Sequence, residues 1–191
     1  MGRRGRDRRD LRGLLRAGGH APDLWAGAGQ ARRGARELTG APPRADSPPR
    51  IEPLRPADRP QWERLFRGYI DFYERTIPDA RYDQAWREFQ SGDRMHALGA
   101  RVDGELIGIA HFFIHANTSG PDVCYLQDLF TAPESRGQGA ATALIEAIAA
   151  WARERGCLRL YWTTHESNAA ARRVYDRVAT NRGFIRYELD L

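Results

Sequence analysis

Residues 123–130 form an apolar, strand-like run and residues 140–155 an amphipathic, helix-like one. The joint between them is Pro133-Glu134-Ser135-Arg136-Gly137-Gln138-Gly139-Ala140-Ala141. No other stretch restricts the fold as tightly. Leu144, Ile145, Ile148, Ala149 and Trp151 fall on one helical stripe, and Gly156 ends it. A strand that passes through a glycine-opened turn into a helix belongs to a layered α/β domain. Gly137 and Gly139 lack the Cβ atoms that would crowd the turn. Unpaired amides at the head of the helix, together with the positive end of its dipole, then suit an anion such as a diphosphate. The turn has neither the Gly-Lys-Ser/Thr of a Walker loop nor the third glycine of a dinucleotide fingerprint.

The remaining pattern extends this unit on both sides. Residues 51–54 suit a short first strand that Pro53 places at an edge or end. Asp58 is placed to cap a helix with Pro60 in its first turn, and Trp62, Leu65, Phe66, Tyr69, Ile70 and Tyr73 follow the helical spacing. Residues 82–89 read as a second helix. Residues 95–102 and 106–114 read as strands joined at Asp103-Gly104, a strong hairpin signal. Residues 158–163 predict a strand, 168–178 a helix and 184–189 a last strand. The fold class is α/β in an α+β layering: a mixed, mostly antiparallel sheet of six or seven strands flanked by about four helices.

Charge divides the chain in two. Residues 1–50 hold 12 Arg against 5 acidic residues, whereas residues 51–191 hold 18 Arg against 20. The first 49 residues, rich in Arg, Gly and Pro, are read as a disordered extension, and residues 50–191 as the domain. The domain's own charge gives no reason to expect nucleic acid as a partner. Cys124 and Cys157 sit in apolar strand-like stretches and read as reduced thiols; no metal-ligand spacing is present. No apolar run approaches the ~18 residues of a membrane span. A cytoplasmic location is therefore expected, with no membrane partner.

A second motif is Asn168-Ala169-Ala170-Ala171-Arg172-Arg173-Val174-Tyr175. Positions 168, 171 and 175 share one helix face. Asn168 near the helix start can bond a ligand, Ala171 leaves room, and Tyr175 presents a hydroxyl two turns on. A tyrosine (pKa ~10) is nearly matched to a departing thiolate (pKa ~8.5), which suits it to donate a proton.

Arg136-x-x-Gly139-x-Ala141 resembles the acetyl-CoA loop of the GNAT superfamily of N-acetyltransferases. Asn168-x-x-Ala171-x-x-x-Tyr175 resembles that family's second element, and Gly183-Phe184 its entry to a terminal strand. The resemblance spans about residues 51–191. It implies the GNAT fold, with two central strands splayed around acetyl-CoA as co-substrate and no metal. It implies that the backbone from Arg136 through Gly137, Gln138, Gly139 and Ala140 to Ala141 holds the pyrophosphate. It further implies that Leu129, Phe130 and Thr131 line the acetyl group and pantetheine arm. The helix-face reading adds Asn168 as a cofactor contact and Tyr175 as the general acid.

Leu126-Gln127-Asp128-Leu129-Phe130-Thr131 resembles a segment of polyamine acetyltransferases. Gln127 replaces that segment's glutamate and cannot be a base. Asp128 keeps a carboxylate, which at an ordinary pKa of ~3.9 would act through water or by electrostatic positioning. His111, His115 and His165 are alternative acceptors. Tyr69 and Tyr73, in the run Tyr69-Ile70-Asp71-Phe72-Tyr73-Glu74, lie where the family faces its substrate, and with Gln127 they are the candidate substrate residues. Tyr-rich, acidic surfaces suit a cationic amine. The stretch from Tyr161 to Asn168 resembles the subgroup of histone, polyamine and D-amino-acid acetyltransferases.

The expected reaction is acetyl transfer from acetyl-CoA to a primary amine by direct attack in a ternary complex. The alternative is a non-catalytic acyl-CoA-binding regulatory module. A small amine or a protein amine is the expected partner, and a homodimer is compatible with the reading.

Overall fold

The structure is a computed structural model that describes residues 48–191. The extension read from composition falls outside the described residues except for Pro48 and Pro49. The elements are β1 (Arg50–Pro53), α1 (Arg59–Phe72), α2 (Asp79–Ser91), β2 (His96–Val102), β3 (Glu105–His115), β4 (Val123–Thr131), α3 (Ala140–Glu154), β5 (Leu160–Tyr161) and α4 (Ala169–Val178). The sheet order is β1-β2-β3-β4-β5, antiparallel except between β4 and β5.

β3 is the centre of the domain. Its residues Leu106–Phe112 are all buried, because helices cover the sheet on both sides. Its side chains alternate between two cores. Leu106 and Ile109 join Trp62, Leu65, Phe66 and Ile70 of α1. Ile107, Ala110 and Phe112 join Leu144, Ile145 and Ile148 of α3. The β2–β3 turn uses Asp103 (φ 49°) and Gly104 (φ 85°), both left-handed, as a two-residue hairpin of the primed kind requires.

Two expectations are corrected. Among the described residues five strands form, not six or seven. The run 158–163 pairs with β4 only at Cys124↔Leu160 and Tyr125↔Tyr161, because the two strands then diverge. The run 184–189 joins no strand among the described residues.

The second correction concerns Asp58. It stands at the head of α1 but makes no capping bond to the helix. Its Oδ2 accepts the Arg55 backbone N–H at 2.7 Å and pairs with Arg101 Nη2 at 2.5 Å. The residue is 6% exposed. Burial alone would raise its pKa, but the Arg55 amide and the Arg101 guanidinium outweigh it and hold the carboxyl below its ordinary value. A depressed folded-state pKa stabilises the fold above the unfolded pKa of ~3.9, and that contribution disappears as pH falls through the folded value. Asp58→Ala leaves Arg101 without its nearest carboxylate and is expected to cost about 3 kcal/mol at neutral pH. Urea unfolding measures this, and the gap to the parent should narrow as pH falls below ~3.9 and close only beneath the lower folded-state value.

Candidate active site

The divergence of β4 from β5 creates the site. Beyond Tyr125 and Tyr161 the strands share no further pairs, yet β4 continues to Thr131. A shallow, solvent-open cleft occupies the gap. Leu126, Gln127 and Leu129 of β4 form one wall, and Trp162, Thr163 and Thr164 beyond β5 form another. Tyr69 enters from α1, Tyr73 from the residue that ends it, and Tyr175 from α4. The α1 tyrosines reach it because Gly68 lets the helix lie close: a Cβ there would stand 3.1 Å from Phe130 Cζ.

Tyr175 rests edge-on against Trp162, with ring centroids 5.3 Å apart. Burial, and secondarily Tyr73, pushes its phenol up to about 12. Asn168 caps α4 by accepting the Ala171 N–H on Oδ1 at 3.2 Å. That leaves the Asn168 Nδ2 to donate to the Tyr73 hydroxyl, a contact that lowers the Tyr73 pKa while burial and Asp128 raise it more. The sequence-predicted Asn168 is thus tied into the wall, joining α4 to α1.

Asp128 lies behind the α1 tyrosines. Its strand partner across the sheet is His111, next to a register shift between His111 and Phe112. His111 is fully buried. Trp62 Nε1–H donates to His111 Nε2 at 2.9 Å. An indole nitrogen can only donate, so Nε2 must accept, and the ring proton of the neutral imidazole sits on Nδ1. That Nδ1–H points at Asp128 Oδ2, 2.9 Å away. The Tyr69 hydroxyl also bonds Asp128, and burial followed by this carboxylate raises the Tyr69 pKa strongly. The series Trp62–His111–Asp128–Tyr69 therefore runs from the core to the cleft. Sequence reading found Asp128 and Tyr69 but not Trp62, which looks like any other core residue of an amphipathic helix.

The other histidines stand apart from this series. His115 Nε2 lies 2.9 Å from the Tyr161 hydroxyl on the surface, and His165 Nδ1 lies 2.6 Å from Ser167 Oγ. Both ring nitrogens of His111 are already engaged, so it is not placed to take a proton from a substrate.

β4 leads from the cleft into the glycine turn. Gly137 (φ 81°) and Gly139 (φ 85°) are both left-handed, and a Cβ on either would meet nothing within 4 Å. The concavity is open. Gly139 is the N-cap of α3; no side chain caps the helix and no acidic residue lies in its first turn. The first helical bond is Ala143 N–H to Gly139 O, so the amides of Ala140, Ala141 and Thr142 precede the ladder. One expected donor is otherwise engaged: the Arg136 N–H turns back to Pro133 O at 3.4 Å. Gln138 is half-buried and Ala140 buried under the turn.

Of the residues expected along the acyl arm, Leu129 faces the cleft. Phe130 does not, since its ring is buried against α1. Thr131 is half-buried, and its Oγ1 has no hydrogen-bond partner among the described residues; the same holds for Thr164 Oγ1, in the cleft wall. Among the described residues no cluster of His, Cys, Asp or Glu is spaced to hold a metal, and no helix is long and apolar enough to cross a membrane.

Gly139→Ala should lower stability by about 1–2 kcal/mol, the cost of a left-handed non-glycine residue. The new Cβ clashes with nothing in the protein, so the domain should still fold. The Kd for a diphosphate-bearing ligand, read by calorimetry, should rise about tenfold, equivalent to one lost charge-assisted hydrogen bond.

Comparison with known proteins places this arrangement. The model described as "Acetyltransferase (GNAT) family" matches residues 62–179. The chain is 26% identical over 142 residues to the D-amino-acid N-acetyltransferase HPA3 of Saccharomyces cerevisiae, covering 72% of this chain and 88% of that one. It is 29% identical over 121 residues to the aminoglycoside N(6')-acetyltransferase type 1 of Stenotrophomonas maltophilia, covering 60% and 74% respectively. Among solved structures, AAC(6')-Iy in complex with a bisubstrate analog superposes with a TM-score of 0.67 at 23% identity, over 76% of this chain and 99% of that one; at that identity the likeness concerns the fold.

Proposed function

Because the chain belongs to the GNAT acetyltransferase family, and so is an N-acetyltransferase that uses acetyl-CoA, we propose that it acetylates a cationic primary amine by direct attack within a ternary complex. The observation that carries this reading is the gap between β4 and β5, walled by three tyrosines and leading to the open head of α3.

Acetyl-CoA supplies the activated acyl group. The amides of Gly137 to Ala141 bind its diphosphate at the positive end of α3, and the backbone around Leu129 orients the arm beneath them. The amine arrives from the side of α1. A lysine-like amine is protonated at pH 7, and freeing its lone pair costs about 4.6 kcal/mol. Asp128 draws the ammonium toward the cleft and, through an intervening water, receives the proton. His111 and Trp62 hold that carboxylate in one orientation, so they are positioning residues. Gln127, exposed on the cleft wall, bonds the acceptor without taking a proton. Tyr175 keeps its proton well above neutral pH and directs it at the departing sulfur. With its pKa above that of a thiol, it stabilises the thiolate by a hydrogen bond rather than by completing the transfer.

The test is thiol release from acetyl-CoA with D-amino acids, aminoglycosides and polyamines as acceptors. Turnover restricted to amines that carry a further positive charge is the expected result. Acetyl-CoA binding without turnover on any amine would overturn the proposal.

A further inference from the structure

The carboxylate of Asp128 is set back from the cleft. Gln127 and Leu129 on either side of it line the cleft, and so does Tyr69, but Asp128 does not. The Tyr69 hydroxyl bridges the interval. A carboxylate can only accept, so in the bond between these two side chains the phenol is the donor. Three rings hold that hydroxyl in place. Tyr69 stacks on Phe66 with centroids 5.9 Å apart, and meets Tyr73 edge-on at 5.1 Å and Phe130 edge-on at 6.3 Å. The Tyr73 hydroxyl, in the same wall, is turned instead to Asn168.

The far side of Asp128 is closed. His111 Nδ1–H points at Oδ2, and the Trp62 indole occupies His111 Nε2. Neither imidazole nitrogen is left to accept, so a proton that reaches Asp128 goes no further inward. The series thus has one end at the cleft, where Tyr69 stands, and one blocked end, where Trp62 stands.

On the acetyl-transfer reading above, we propose that the Tyr69 hydroxyl relays the proton of the acceptor amine to Asp128. As the ammonium N–H breaks, the water beside it takes that proton and passes one of its own to Tyr69 Oη. In the same step the Tyr69 O–H breaks and an O–H forms on Asp128. The N–H electron pair stays on nitrogen as the lone pair that attacks the thioester. Ammonium and carboxylate become amine and carboxylic acid, while water and phenol end as they began. Burial, and then Asp128, raise the Tyr69 pKa strongly, so the phenol keeps its proton until another arrives.

The test is kcat/KM in four full-length proteins: the parent, Tyr69→Phe, Asp128→Asn and the double variant. The acceptor is whichever D-amino acid, aminoglycoside or polyamine the parent turns over fastest. Phenylalanine keeps all three ring contacts and deletes only the hydroxyl. Tyr69→Phe should lose about 100-fold at pH 7. Because the two groups act in series, the double variant should be no slower than the slower single variant. The Tyr69→Phe loss should also shrink as pH rises toward about 10, where a lysine-like amine arrives already deprotonated. The charged and titratable neighbours of Tyr69, namely Asp128, Tyr73 and Arg75, are the same in the parent and this variant. A Tyr69 that only props up the cleft would give a loss independent of pH. That result, parental kcat/KM in Tyr69→Phe, or losses that multiply in the double variant would each overturn the relay and leave acetyl transfer standing. A parent that turns over no amine overturns both.

Discussion

Asp128→Asn is expected to reduce kcat/KM for a cationic amine about 100- to 1,000-fold, within the range of a lost proton acceptor, while the Kd for acetyl-CoA stays within about twofold. The substitution keeps the size of the side chain and removes only its charge. One hydrogen bond must be kept: the His111 Nδ1–H, fixed in direction by the Trp62 indole, needs an acceptor at position 128. Asparagine can still meet it with its carbonyl, so the fold should be kept, and thermal unfolding will tell. The separation of effects is the diagnostic part. The proposed mechanism puts acetyl-CoA at the glycine turn, whereas Asp128 sits behind Tyr69. A variant that loses acetyl-CoA affinity as well as turnover would point to collapse of the cleft, and one with unchanged kcat/KM would remove Asp128 from the chemistry.

Tyr175→Phe should lower kcat by about 100-fold with little change in the KM of the amine, because in the proposed mechanism the hydroxyl acts only as the sulfur departs. The ring's contact with Trp162 survives, so stability should change little. The pH profile gives a second reading. Burial raises the Tyr175 pKa to about 12, so the proton-bearing form, which is the useful one, persists at all lower pH values. The parent enzyme should therefore show no loss of kcat from this group as pH rises from 7 to 10. A steep fall near pH 9 that vanishes in the phenylalanine variant would contradict the assignment.

Much of this architecture is written locally in the sequence. The Asp103-Gly104 turn, the apolar stripes of α1 and α3 and the two glycines ahead of α3 depend on neighbours a few residues apart, and each forms where its pattern predicts. The site is legible to the extent that its parts sit on such elements: Tyr69, Tyr73, Gln127, Leu129 and Tyr175 do converge. What escapes a linear reading depends on distant partners. The Trp62–His111 bond joins residues 49 apart. Asp58 has the spacing of a cap, but Arg101 on β2 and the Arg55 amide claim its carboxylate. Phe130 adjoins cleft residues in sequence, yet the pleat turns its ring to the other side, against Gly68. The run 184–189 has the alternation of a strand, yet it pairs with no strand among the described residues.

The parting of β4 from β5 exposes backbone in the middle of a sheet, where amides are ordinarily shut away from solvent. Those of β4 beyond Tyr125 that face the gap have no neighbouring strand to bond. Water must occupy that seam until a ligand's own carbonyls and N–H groups replace it, so filling the seam completes a hydrogen-bond ladder that the polypeptide leaves unfinished. Deuterium uptake along this one strand therefore gives a direct gauge of occupancy, readable even in a variant that cannot turn over.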